Sequence, residues 1–127
     1  MGSDPHTAQP KPQAVVKIAN DVIGVIAAIA AMDVEGISGL SGGLVSGISE
    51  KLGKSGIGRG VRVEVEEQSV KLDLFIIVQY GAKIPDVAVR TQSVVKRDVQ
   101  TMTGLTVTGV NIHVQGVAFP TREGGND

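Results

Sequence analysis

Few side chains in this sequence could carry chemistry, and each has a competing structural reading. Asp33 and Asp98 recur at matched places in two similar stretches, Asp21–Leu40 (DVIGVIAAIAAMDVEGISGL) and Asp86–Leu105 (DVAVRTQSVVKRDVQTMTGL). On ideal helical geometry each projects within ~20° of Val22 or Val87, close to an apolar stripe. Two carboxylates so placed could form an acid/base pair. A carboxylate near apolar surroundings is costly unless it accepts hydrogen bonds, so the favoured role for both is structural: tying down backbone N–H groups beyond each helix. His113 lies mid-strand between Ile112 and Val114. With no carboxylate at ligand spacing along the chain, it reads as an exposed structural residue, neither a metal ligand nor a general base. No catalytic, metal-binding or cofactor-binding residue is expected.

Two glycine patterns resemble ligand loops. Gly47-Ile-Ser-Glu-Lys-Leu-Gly-Lys-Ser55 places five residues where a phosphate-binding loop has four, and no strand leads into it. Gly53-Lys-Ser-Gly56 and Gly39-Leu-Ser-Gly42 match the GxxG clamp of nucleic-acid-binding KH loops. With 17 glycines in 127 residues, such matches arise by chance. Lys51, Lys54, Arg59 and Arg62 form a local basic run, so a small RNA-binding module is the alternative function.

Composition narrows the classes further. There is no cysteine, which removes disulfides and thiolate chemistry. The net charge of −1 gives no long-range attraction to nucleic acid or anionic lipid. Aromatic residues are 2% of the chain (Phe75, Tyr80 and Phe119), so the core must be aliphatic and base-stacking platforms are scarce. The apolar run Val22–Met32 is shorter than the ~20 residues that span a bilayer. A soluble, cytoplasmic protein is expected.

The elements that must position these residues follow from periodicity. Residues 1–13 should be a disordered tail, 14–119 one domain, and 120–127 a flexible tail. Ala14–Ala19 reads as a short edge strand. Helix one starts at Asn20 or Asp21 and runs to about Val34, with Val22, Ile26, Ile29, Ala30 and Ile37 on its apolar face. Ser41–Gly60 is glycine-rich, with one short helix over Leu44, Ile48 and Leu52, and should be the most mobile internal region. Val61–Glu66 and Val70–Tyr80 are strands joined by a tight turn at Glu66–Ser69. Helix two starts at Ile84-Pro85-Asp86 and buries Val87, Thr91, Val94, Val95, Val99 and Met102. Gly104 supplies the left-handed exit, and Val107–Phe119 is the last strand. Each half is thus a helix, a glycine-leucine exit and a strand, since Gly60–Val65 echoes Gly109–Val114. The predicted class is α+β: two layers, a mainly antiparallel sheet of three to four strands, and two main helices on one face.

Strand alternation gives the strongest functional clue. If Val70, Leu72, Leu74, Ile76 and Val78 face the helices, Phe75 and Ile77 face away. Continued parity puts Val117 and Phe119 on the same outward side. These four are the candidate interaction surface, because an apolar outer face marks an interface. The competing expectation is that the face is covered, or that a bulge near Gly116 breaks the parity.

Several stretches together resemble one family. They are Ile23–Leu40, Gly60–Val65, Tyr80-Gly-Ala-Lys-Ile-Pro-Asp-Val-Ala88, Met102-Thr-Gly-Leu105 and Val110-Asn-Ile-His-Val-Gln-Gly-Val117. In this order they resemble the alkaline-shock, or envelope stress response, proteins of Gram-positive-type bacteria. The resemblance covers about Ala14–Phe119. It implies an α+β domain without catalytic activity that self-associates as a homo-oligomer. It also implies a place at the inner face of the membrane, held by an integral membrane partner, and a role in the envelope stress response. No catalytic or ligand residue carries over from the family.

Overall fold

The computed structural model describes residues 16–41 and 60–120. The element order is α1 (Asn20–Met32), β1 (Ile37–Leu40), β2 (Val61–Glu66), β3 (Ser69–Gln79), α2 (Ile84–Thr103) and β4 (Thr106–Ala118). This is the expected α+β class, with the helices packed against a four-stranded sheet. The expected tails, the short helix over Leu44–Leu52 and the mobility of the glycine-rich segment lie outside the described residues, or almost wholly so.

β3 is the centre of the sheet. Its every second residue, Val70, Leu72, Leu74, Ile76 and Val78, is buried, as alternation predicts for a strand with one face on a core. Along one edge it pairs antiparallel with β2 through its first half and with β1 through its second. The whole other edge pairs parallel with β4. The sheet is therefore mixed: two of its three pairings are antiparallel, and the longest is parallel. Parallel neighbours need a long crossover, and α2 supplies it.

β1 has no counterpart in the sequence reading, which took Gly39-Leu40 as a helix exit. α1 stops at Met32, with Asp33 as its C-cap, and Gly39 is a strand residue level with Ile77. β1 and β2 in fact form one interrupted edge. The Ser41 N–H donates to the Phe75 carbonyl at 2.7 Å, and the Phe75 N–H donates to the Gly60 carbonyl at 2.8 Å. Ser41 and Gly60 thus meet β3 at the same rung. Gly60 has φ +77°, and a Cβ there would lie 2.5 Å from the Ser41 carbonyl oxygen, so only glycine fits. Val16–Ala19 forms no strand, contrary to expectation; Ile18 instead packs on the rim of the core.

The buried face of α1 is rotated from the predicted one. Ile23, Ala27, Ala30 and Ala31 are buried, whereas Val22 and Ile29 are 48% and 66% exposed. The small alanines let the helix lie close to α2 and β2. An α1 that is apolar on nearly all sides leaves periodicity unable to say which side wins. α2 buries Val87, Thr91, Val95 and Val99 as expected, while Met102 is exposed. The buried Thr91 hydroxyl donates to the Val87 carbonyl at 2.6 Å, which satisfies it within the helix. Gly104 ends α2 with φ +80°, the left-handed cap the sequence predicts.

Candidate functional site

The sheet face turned away from the helices carries the most organised polar cluster among the described residues. Strand register builds it. Arg62 of β2, Asp73 of β3 and Asn111 of β4 stand level in one row, and Phe75 stands level with His113 in the next. Residues level on neighbouring strands share a face and approach closely. Asp73 Oδ1 accepts hydrogen bonds from Asn111 Nδ2 at 3.1 Å and from His113 Nε2 at 3.0 Å. An ionised carboxylate only accepts, so Nε2 carries the hydrogen. The imidazole also stacks on the Phe75 ring, with centroids 4.6 Å apart and planes 13° from parallel.

The Asp73 side chain is only 18% exposed. The hydrogen bond from His113 holds its carboxyl below the usual carboxylate value; burial opposes this, and Asn111 and the Arg62 charge add to it. The imidazole is held at one edge by a carboxylate and on one face by a phenyl ring. A carboxylate orienting an imidazole is half of a catalytic arrangement, but among the described residues no hydroxyl bonds to the other ring nitrogen. What the cluster provides is a braced surface with apolar, cationic and anionic parts.

Sequence reasoning missed the pairing because Asp73 and His113 lie far apart in the chain and meet only through the parallel β3–β4 register. Expecting His113 to lack a carboxylate partner was wrong for that reason. Parity along Val70–Gln79 put Asp73 and Phe75 on one face, but the register needed for His113 is a tertiary fact. Among the described residues, no group of three His, Asp or Glu could hold a metal ion.

Of the four expected surface residues, Phe75 and Ile77 stand on the outward face and are half-buried by their neighbours. Val117 does not share that face. The register shifts between Val114 and Gly116, leaving Gln115 as a bulged residue and setting Val117 level with Val78 of the helix side. Phe119 lies beyond the ladder, packed on Tyr80 at a centroid distance of 5.2 Å and 70% exposed. One extra residue thus divides the expected surface in two.

Among the described residues, neither expected structural carboxylate holds backbone donors. Asp33 is exposed, and Asp98 accepts from the exposed Arg97 Nε at 3.0 Å. The α2 exit is secured by its uncharged neighbours. Gln100 Oε1 accepts from the Val107 N–H at 2.9 Å, and Thr103 Oγ1 accepts from the Leu105 N–H at 3.0 Å. The helix-wheel argument placed both aspartates near the apolar stripe, but each sits at its rim, where water competes. Of the predicted basic run, Arg62 lies opposite Asp73 and the nearby Lys71 opposite Glu64. Lys51, Lys54 and Arg59 lie outside the described residues, as do the phosphate-loop-like segment and Gly53–Gly56.

The fold and this face define a two-layer α+β domain, with a polar-aromatic cluster on the sheet face that no helix among the described residues covers. Residues 8–119 match the model of the alkaline-shock protein 23 family, described as having a cell envelope-related function. The chain belongs to this family, the one its motifs resemble. It is 42% identical over 104 residues to the Bacillus subtilis protein YloU, covering 80% of this chain and 87% of that one. It is 36% identical over 107 residues to YqhY of the same species, covering 84% and 79%. A Streptococcus pyogenes stress response regulator gls24 homolog is 34% identical over 94 residues, covering 73% of this chain and 52% of that protein. The described residues contain no helix long and apolar enough to cross a membrane.

Proposed function

We propose that this protein acts without catalysis, as a self-associating docking protein of the cell envelope stress response. In this reading it sits at the inner face of the membrane by binding an integral membrane partner. The observation that carries the reading is the outward sheet face, where Phe75 and Ile77 are framed by Arg62, Asp73 and His113. A docking surface needs an apolar anchor fixed in place and surrounded by directional polar groups, and this cluster has both. The Asp73–His113–Phe75 brace holds its side chains before any partner arrives, which lowers the ordering cost of binding. The family's cell envelope-related description and the stress-regulator name of a relative support the setting. No cofactor or small-molecule substrate enters this reading.

The test is Phe75→Ser combined with Ile77→Ser. Removing an aromatic anchor at an interface commonly costs ~2 kcal/mol or more, so retention of the membrane partner should fall more than tenfold while the fold persists. Unchanged retention by a folded double variant would overturn the assignment of this face. Titrating the wild type with RNA at several salt concentrations checks the nucleic-acid alternative, because phosphate contacts make affinity fall steeply with salt.

A further inference from the structure

β4 borders the sheet, and its outer edge differs from that of any other strand among the described residues. From Val99 to Thr121 the sequence has no Asp, Glu, Lys or Arg. Native edges are usually protected by charge, proline, short length or a covering element. β4 spans Thr106–Ala118 with none of the first three, and its one protective irregularity on the free half is the bulge at Gln115. The opposite edge carries Arg62, Glu64 and Glu66 and is interrupted at Ser41/Gly60.

The backbone of β4 can be oriented from its ends. The Thr106 N–H donates to the Gln68 carbonyl, and the Ala118 carbonyl accepts from the Tyr80 N–H, so both turn towards β3. Alternation through the two register shifts then turns Val107, Val110, Ile112, Val114 and Val117 outward. The first two are capped from α2: Gln100 takes the Val107 N–H, and Gln92 Nε2 donates to the Val110 carbonyl at 2.9 Å. On helical geometry the preceding positions on this side of α2 are Val89 and Pro85, which have no polar group to offer. Capping therefore stops at Val110. Ile112, Val114 and Val117 present N–H and C=O groups with no described protein partner, beside Val89 at 61% and Val117 at 42% exposure.

We propose that this uncapped half of β4 pairs antiparallel with the same segment of a second copy, joining two sheets into one across a two-fold axis. The inference rests on the self-association part of the proposed function and gives it a location. Several observations favour a second copy as the occupant. The edge is charge-free, so pairing with itself sets no like charges together. Antiparallel pairing about a two-fold axis closes on itself and leaves no new edge. The same axis brings the Val89 side of each α2 towards its equivalent, covering apolar area on both.

The experiment is sedimentation of the full chain over a range of concentrations, with hydrogen exchange read at Ile112, Val114 and Val117. Wild type should form a dimer whose exchange at these amides slows as concentration rises. Val114→Pro removes an outward N–H and no bond to β3, a position where an edge strand tolerates proline; it should lose the dimer. Val89→Lys, on exposed helix surface, should weaken the dimer by like-charge juxtaposition without affecting the fold. A dimer surviving both substitutions would keep self-association but overturn this edge as its seat. Wild type that is monomeric at every concentration would overturn both, and protection appearing only when another protein is added would overturn a second copy as the occupant of this edge.

Discussion

At the scale of single residues, the carboxylate that matters is Asp73, not Asp33 or Asp98. Its folded pKa is depressed, so it contributes stability that is complete above the unfolded value of ~3.9 and is lost as pH falls through the folded value. Wild type should therefore lose stability relative to Asp73→Asn as pH drops below about 4, which denaturant titrations at several acid pH values would show. At neutral pH the substitution should cost on the order of 1 kcal/mol, because it weakens two hydrogen bonds to a mostly buried group. Asp98→Ala should fall within about 0.5 kcal/mol of wild type, since its ion pair with Arg97 is exposed. Gln100→Ala should cost ~1 kcal/mol by freeing the Val107 N–H. If Asp98→Ala proved the costlier of the two in thermal unfolding, the exit of α2 would be built differently from this description.

At the scale of elements, what the sequence made legible depended on how far apart the determining residues lie. β3 and α2 were readable nearly to their ends, because strict alternation and a proline-to-glycine frame are local signals. β1 was not, since Ile37-Ser-Gly-Leu40 is a strand only because β3 offers it an edge. The face of α1 was misjudged because alanine, carrying little hydrophobic weight, wins the close contacts. The outward cluster was half legible: Phe75 and Ile77 came from parity, His113 and Asp73 needed the parallel register, and Val117 was lost to a bulge. The interrupted β1–β2 edge carries its own prediction. Gly60→Ala forces a Cβ against the Ser41 carbonyl at a positive φ, which should cost ~1–3 kcal/mol. Gly104→Ala, with open space around its Cβ, should cost less. Equal melting temperatures for the two variants would mean that the Ser41–Gly60 junction relaxes freely.

At the scale of the whole molecule, the two sides of the sheet divide the labour. One face holds the core with both helices, the other carries the Asp73–His113–Phe75 cluster and is covered by no helix among the described residues, and the β4 edge lies between them. Under the proposed function the protein works through that outward face, by docking on a membrane-held partner. The most direct measurement is recovery of an integral membrane protein from detergent-solubilised membranes of the source cell. Immobilised wild-type chain and the folded Phe75→Ser/Ile77→Ser variant would be compared side by side. One membrane protein should be retained by the wild type and lost from the variant. Retention by neither chain, or equally by both, would overturn docking through this face.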